Sequence, residues 1–541
     1  RALRFRPGRV LLPTAPEWEC RLYGRQDLGP KARPYGRRLT SAAPRRYIRA
    51  PSGVAVEAWT YLTSRVRELD ALGSASAVLE WDQQTQMPDK GSENRGEQLA
   101  LLQRLYHERF TAPEVGDWLG TLQQTELDAT QTAAVRMLAR RYQRSVGLPT
   151  RLVEDLARAR NDGFVAWVKA KAADNFSGFE APLQRLIDLT REQADCLGGA
   201  NCAHPYDALL EEYDAGSTVA ILQPMFDRLG LEIGTFLGAV QGRPHPANFD
   251  VRLDIDGQKR LSQCVIRDLG FDTKAGRIDL AAHPFSTNLG IGDVRLTTRY
   301  FEDNVLSGLG STIHECGHGM YEQGLPNHLA GTGLNAAASY GLHESQSRFW
   351  ENFIGRSLPF FRYLVPRMQA IWPSLEVTPE ALYAAANRVE RALMRGEADE
   401  ATYNLHIVVR FGLEIDLFTG KLQARDLPEA WVEGYRRIVG VVPPSAQTGV
   451  LQDVHWSSGL FGYFPSYTLG NLYAASLSQC MLESIPNLWE LVERGQFSPI
   501  LRWLRTNIHE HGHLQDGHPT VLAVAGGRDP VEDLVAHLWS R

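Results

Sequence analysis

The chain has 541 residues, of which 43% are apolar and 22% are charged, and its formal net charge is −6. This composition is typical of a soluble globular protein, and the sequence has no run of 18 apolar residues that would predict a membrane span. The cysteines are scattered through the chain, which favours reduced thiols in an intracellular compartment over a disulfide framework: Cys20, Cys196, Cys202, Cys264, Cys316 and Cys480.

The beginning of the chain differs in charge from the rest. Its first 50 residues contain 12 Arg and one Lys but only three acidic residues, a net charge of +10. We therefore divide the chain into an Arg-rich extension, residues 1–53, and a catalytic domain, residues 54–541. The extension fits an organelle transit peptide, with a disordered tail or translated sequence upstream of the true start as alternatives. The expected location is the cytoplasm, or a mitochondrion or plastid if the extension targets one.

The catalytic domain is predicted to be mainly helical. From Val54 to about Val240, apolar residues recur every three to four positions. Between Phe249 and Thr298 the pattern changes to short β-like runs, which predict a small sheet at residues 251–253 and 294–298. Helices resume after it and continue to the end of the chain.

A metal site is predicted on the helix that follows this sheet, roughly Phe301 to Gln323. There His314, Glu315 and His318 belong to the stretch His-Glu-Cys-Gly-His. Positions i and i+4 share one face of a helix, so both imidazoles can bind one ion while Glu315 acts as general base toward its water. Glu344, 26 positions after His318 and on a second helix, is the third predicted ligand. Three protein ligands and one open position are typical of catalytic Zn²⁺, with Co²⁺ as an alternative.

The same short motif occurs a second time near the end of the chain, at His509, Glu510 and His513. The second copy lies 28 residues from the C-terminus, and no ligand-bearing helix follows it. We therefore predict a surface cluster there, and we expect His509→Ala and His513→Ala to behave close to wild type.

Other residues suit peptide hydrolysis. His455, Tyr463 and Tyr467 are candidate donors to the oxyanion, although each tyrosine is equally compatible with a place in the core. Asp293 and Arg295 lie in a predicted strand, where a substrate could pair with the backbone. A structural ion pair between these two residues is the alternative.

Six groups of residues occur in the same order as the signature motifs of the carboxypeptidase Taq family, and over about residues 55–541 the chain resembles its members. Met394 stands where the family usually has Ile, an apolar exchange of similar volume. The motifs are His283-Pro284-Phe285, Asp293-x-Arg295-x-Thr297, the metal helix, His343-Glu344-Ser345, Arg395-x-x-Ala398-Asp399 and Gly449-x-x-Gln452-Asp453-x-His455-Trp456.

The resemblance implies a homodimeric zinc metallocarboxypeptidase that removes single C-terminal residues from peptides with broad specificity. Its fold would be gluzincin-like (neurolysin/ACE-like), with a deep cleft and a small sheet beside the active site. It places Arg395 and His283 at the terminal carboxylate of the substrate, with Gln452 and His455 as further candidates for that pocket. Alternatively, Arg395 pairs with Asp399 one helical turn along.

Two other functions are compatible with these motifs. One is an endo-acting or dipeptide-releasing zinc oligopeptidase, because related helical peptidases share the ligand layout. The other is a non-catalytic peptide-binding homologue, which would not need the base Glu315. In either case the expected partners are peptides, with no nucleic acid and no membrane, because the basic extension lacks the aromatic pattern of a nucleic-acid surface.

Overall fold

The computed structural model describes residues 52–198 and 202–541. Cys20 and the Arg-rich extension, apart from its last two residues, lie outside them. The described chain begins with nine helices, which are α1 (Ser52–Thr85), α2 (Ser92–Phe110), α3 (Pro113–Leu122), α4 (Ala129–Val146), α5 (Thr150–Ala172), α6 (Ser177–Gly198), α7 (Asp207–Tyr213), α8 (Val219–Val240) and α9 (Ile255–Leu269).

The prediction of a strand at residues 251–253 is wrong, because these residues lead into helix α9. These residues form no sheet, and their one backbone bond to a distant segment runs from Leu253 N–H to the carbonyl of Glu302, at 2.8 Å. The next residue, Asp254, accepts a hydrogen bond from the Gly257 N–H at 2.7 Å and caps α9. The short apolar run is therefore the extended approach to a helix.

A three-stranded sheet follows, made of β1 (Gly276–Leu280), β2 (Ser286–Gly290) and β3 (Asp293–Thr298) in the order β1-β3-β2. β1 is parallel to β3 and β2 is antiparallel to it. Because β3 is the middle strand, both of its edges are already paired. The expectation that a substrate pairs with the backbone at Asp293 and Arg295 is therefore wrong.

The Arg295 side chain takes part in a structural ion pair instead. Its Nη2 and Nε lie 2.9 and 3.0 Å from the two carboxylate oxygens of Asp293. Its guanidinium also lies over the ring of Trp81 in α1, 4.2 Å from the centroid. Arg295 thus joins the sheet to the first helix.

Eleven more helices complete the described chain: α10 (Val305–Gly324), α11 (Tyr340–Arg348), α12 (Leu358–Ile371), α13 (Pro379–Ala386), α14 (Tyr403–Phe418), α15 (Leu427–Gly434), α16 (Phe464–Ser484), α17 (Leu488–Glu493), α18 (Ser498–Asn507), α19 (Gly517–Ala525) and α20 (Pro530–Ser540). The mainly helical architecture with a small sheet is as predicted. One large apolar core extends from α5 to α20, and α1, α3 and α4 form a second, smaller one. Within the described residues, no helix has both the length and the apolar surface that crossing a membrane requires.

Candidate active site

The predicted metal helix is α10, which begins at Val305 rather than near Phe301. The side chain of Asn304 accepts a hydrogen bond from the Ser307 N–H at 3.1 Å and caps the first turn. His314 and His318 lie one turn apart on α10, with ring centroids separated by 4.9 Å. The i and i+4 spacing thus places both imidazoles on one face, as the sequence predicts.

Two glycines allow the helices around the site to pack closely. A Cβ atom at Gly317 of α10 would lie 2.6 Å from the carbonyl oxygen of Gln346 in α11. A Cβ atom at Gly470 of α16 would lie 2.4 Å from Cγ of Glu344. Since real Cβ atoms do not approach other atoms so closely, only glycine permits these contacts, which press Glu344 between α10 and α16.

The three predicted ligands meet in the fold. Donor atoms of His314, His318 and Glu344 all lie within 4.8 Å of one another. The Oε2 atom of Glu344 is 3.4 Å from Nε2 of His318 and 3.8 Å from Nε2 of His314. Zinc bonds of 2.0–2.1 Å at tetrahedral angles place ligand atoms about 3.4 Å apart. Two imidazoles and one carboxylate at these separations fit a divalent ion of that size.

Two charged residues that the sequence did not lead us to predict, Arg348 and Glu351, hold the side chains of this cluster in place. Glu351 accepts a hydrogen bond from Nδ1 of His314 at 2.8 Å, which leaves Nε2 of that ring as the donor atom for a metal. Arg348 donates from Nε to Glu344 at 2.7 Å and from Nη1 to Glu351 at 3.2 Å. Helical spacing could have revealed both, because they follow Glu344 by four and seven positions on one face.

The charges of this network control ionisation at the site. Burial alone would raise the pKa of Glu344, but the charges of Arg348 and His314 outweigh it and hold this pKa well below its usual range. Glu351 behaves in the same way: Arg348 and His314 outweigh burial and lower its pKa to about 2. Both carboxylates are therefore anionic at neutral pH.

Glu315, the predicted base, is buried beside the cluster. Its carboxylate accepts no hydrogen bond from the residues that the structure describes. Burial, with a smaller contribution from the charge of Glu344, raises the pKa of Glu315 to about 7. His343 stacks on the ring of His318 at 4.4 Å and its Nε2 bonds to Glu322 at 2.9 Å, a supporting contact rather than ligation.

The predicted oxyanion donors come together at the start of α16. Nε2 of His455 lies 3.1 Å from the hydroxyl of Tyr467. The rings of Tyr463 and Tyr467 are 5.0 Å apart, and Tyr463 stacks on His455 at 5.4 Å. Burial lowers the pKa of His455 to about 3, so this imidazole is neutral at physiological pH.

Arg395 does not pair with Asp399, so the alternative contact is wrong. Arg395 lies in a single 3₁₀ turn rather than an α-helix, and Asp399 bonds instead to Thr402 at 2.7 Å. The guanidinium of Arg395 lies 2.9 Å from Asp453 and donates to the Tyr403 hydroxyl at 2.8 Å. A second arginine, Arg410, donates to the other oxygen of Asp453 at 2.7 Å. Two arginines thus share one carboxylate, and one positive charge remains.

Gln452 and His283, the two other residues expected at the substrate carboxylate, differ in how accessible they are to a substrate. Oε1 of Gln452 accepts from the backbone N–H of Arg395 at 2.9 Å and from Arg410 at 2.8 Å. Its Nε2 donates to two carbonyls, so the amide has no hydrogen bond left for a substrate. His283 lies exposed in the loop between β1 and β2. Neighbouring atoms still desolvate part of its ring, and this desolvation, together with the charges of Arg299 and Lys171, lowers its pKa.

The second histidine motif is not a surface cluster, and that prediction is wrong for His509. This residue is fully buried, and its Nε2 lies 3.0 Å from Oε1 of Gln346 in α11. Helix α18 ends at Asn507, and Gly512 has a φ of 50°, so the motif does not lie on one helix. The exposed neighbour His511 lines a hollow of about 820 Å³, which contains none of the predicted site residues.

We therefore expect His509→Ala to destabilise the protein by about 1–3 kcal/mol, the cost of leaving the buried amide oxygen of Gln346 unpaired. Urea unfolding monitored by circular dichroism measures this difference. His511→Ala is the matched control, since it removes an exposed histidine from the same turn and is expected to unfold like wild type. Equal unfolding midpoints for the two variants would contradict a structural role for His509.

The sequence and fold can be compared with known proteins. Residues 61–541 match the family described as Carboxypeptidase Taq (M32) metallopeptidase. The chain is 42% identical over 487 residues to thermostable carboxypeptidase 1 of Thermus thermophilus, covering 87% of this chain and 96% of the relative. It is 36% identical over 483 residues to carboxypeptidase 1 of Bacillus subtilis, covering 88% and 96%. The crystal structure of an M32 carboxypeptidase from Deinococcus radiodurans R1 superposes with a TM-score of 0.87 at 34% identity, covering 90% of this chain and 98% of that one.

Proposed function

Because the chain belongs to the carboxypeptidase Taq (M32) metallopeptidase family, it is a metallocarboxypeptidase, and we propose that it is a zinc enzyme that removes single C-terminal residues with broad specificity. The observation that carries this proposal is the cluster of His314, His318 and Glu344 beside the buried carboxylate of Glu315. A protein that only binds peptides would not need that carboxylate. Co²⁺ suits the same donor set.

The three clustered residues would hold the ion. A zinc ion bound there would act as a Lewis acid on the scissile carbonyl and would lower the pKa of a bound water to about 7. Glu351 keeps His314 oriented, and Arg348 keeps Glu344 oriented and anionic, through the hydrogen bonds described above.

Glu315 is the proposed general base. Its carboxylate takes the proton from the attacking water and later delivers it to the leaving amine nitrogen. Its lack of hydrogen-bond donors among the described residues suits both steps, because neither oxygen has to release a partner before it accepts the proton.

The oxyanion that forms at the scissile carbonyl needs a donor, and we assign this role to the group of His455, Tyr463 and Tyr467. The neutral imidazole of His455 orients the Tyr467 hydroxyl, and Tyr463 packs against both rings. In other enzymes, removal of one such donor costs about 2.7–4 kcal/mol of transition-state stabilisation.

The terminal carboxylate of the peptide is assigned to Arg395, with His283 on the loop before β2. Asp453 compensates only one of its two arginines, so one positive charge remains for an anionic substrate group. Gln452 serves this pocket indirectly, because it holds the backbone of Arg395 and the guanidinium of Arg410.

Two broader assignments are also proposals. On the precedent of the family we propose a homodimer, which light scattering on the purified protein would test. We also propose that the residues before α1, which begins at Ser52, form an extension separate from the catalytic domain, with organelle targeting as their role. Localisation of a fluorescent fusion with and without these residues tests the second assignment.

The decisive experiment compares one set of peptides with free and with amidated C-termini, digested with and without a chelator and followed by mass spectrometry. We expect single residues to be lost from the free acids, little cleavage of the amides, and no cleavage after chelation until Zn²⁺ or Co²⁺ is added. Equal cleavage of acids and amides would instead establish an endo-acting enzyme, and release of dipeptides would establish a dipeptide-releasing oligopeptidase.

A further inference from the structure

Among the described residues around the site, the buried arginines contact carboxylates, whereas one lysine does not. Arg348 pairs with Glu344 and Glu351, and Arg395 and Arg410 share Asp453. Lys171, in the last turn of α5, is half-buried, yet no carboxylate oxygen of the described residues lies within 4.0 Å of its Nζ. A desolvated charge without a counter-charge is unfavourable, so we expect the ammonium group of Lys171 to have a function at this site.

The surroundings of Lys171 connect it to the proposed carboxylate pocket. Its Nζ donates to the backbone carbonyl of Gln452 at 2.9 Å and lies 4.8 Å from the ring centroid of Trp167. The side chain of Gln452 in turn holds the backbone of Arg395. Gln452 therefore connects the ammonium group of Lys171 to Arg395, the arginine that we assign to the peptide terminus.

A second link runs to His283, the other residue that we assign to the terminal carboxylate. The positive charge of Lys171 is one of the causes, after desolvation and Arg299, that lower the pKa of His283. Burial also lowers the pKa of Lys171 itself, partly offset by the negative charge of Asp453. Lys171 is thus electrostatically coupled both to His283 and to the carboxylate that holds Arg395.

We propose that Lys171 is a substrate-binding residue whose ammonium group contacts the terminal carboxylate of the peptide together with Arg395 and His283. This inference rests on the carboxypeptidase function proposed above. An ammonium group has three N–H donors, and only one of them is used by the described residues. A carboxylate can accept from the flat fork of an arginine and from a lysine at the same time.

Kinetics of three variants test this role. Lys171→Met keeps the length of the side chain but removes its charge and donors, whereas Lys171→Arg keeps the charge. Lys169→Met is the matched control, because Lys169 is exposed on the same turn of α5. For a free-acid peptide we expect Lys171→Met to raise KM by about tenfold or more, the loss typical of one hydrogen bond to a charged group. We expect kcat to change little, Lys171→Arg to recover most of the affinity, and Lys169→Met to match wild type.

The same peptide with an amidated C-terminus separates binding of the carboxylate from support of Gln452. Measured as a competitive inhibitor, the amide should bind to wild type and to Lys171→Met equally weakly. Equal losses for acid and amide, or a fall in kcat at unchanged KM, would show that Lys171 only braces Gln452 and would overturn the inference. So would a loss confined to peptides that end in Asp or Glu, which would place the ammonium at the terminal side chain.

The two proposals fail in different ways. If wild type cleaves acids and amides equally, the carboxypeptidase function itself is refuted. If wild type prefers free acids while Lys171→Met behaves like Lys169→Met, only the role of Lys171 is refuted. Thermal melting of each variant identifies any that fails to fold, and Lys171→Arg then provides the comparison.

Discussion

Replacing Glu315 by Gln is expected to remove nearly all turnover while the protein keeps its metal and its fold. The amide is nearly the same shape as the carboxylate, but it cannot accept the proton of the attacking water. General base catalysis typically contributes a factor of about 10² to 10⁴ in rate, so kcat should fall by at least that range. Steady-state kinetics, metal analysis and thermal melting on the same preparation measure the three properties.

Two variants provide controls for this experiment. Glu344→Ala removes a proposed ligand and should lose metal and activity together, in contrast to Glu315→Gln. Glu510→Gln makes the same change in the second histidine motif, at an exposed position, and should leave activity unchanged. Loss of activity in Glu510→Gln but not in Glu315→Gln would show that the wrong copy of the motif had been assigned, and full metal occupancy in Glu344→Ala would refute that ligand.

The second large effect is expected for Arg395→Ala, which should reduce kcat/KM for free-acid peptides by two or more orders of magnitude, roughly 3 kcal/mol or more. Only a planar guanidinium can grip a carboxylate through two parallel hydrogen bonds. Arg395→Lys should therefore recover only part of the activity. The fold should persist, because Arg410 still compensates Asp453.

Arg436→Ala is a suitable control for this experiment, since Arg436 is exposed and its one ion pair within the described residues is with the exposed carboxylate of Glu433. It should retain wild-type kcat/KM. If Arg395→Ala melts normally and its activity is within a few-fold of wild type, Arg395 is only a structural partner of Asp453. Recognition of the peptide terminus would then depend on other cations.

Local spacing accounts for the part of the site that could be predicted from the sequence. His314 and His318 share a face because four residues make about one turn of any α-helix, whatever surrounds it. The mainly helical architecture followed from the same periodicity. The prediction of a strand at 251–253 was wrong because three residues with alternating polarity are too short to separate a strand from an extended helix approach.

The sequence by itself determined which residues are candidates for the chemistry, and only the tertiary structure decided what they contact. Arg395 meets Asp453 across 58 positions, and His509 meets Gln346 across 163. β3 lies in the middle of the sheet, so a substrate cannot pair with the edges of this strand. That position likewise depends on the two strands that flank β3 in space. Burial and charge pairing depend on which distant segments pack together. Periodicity shows which face of a helix a residue occupies but leaves open what that face packs against.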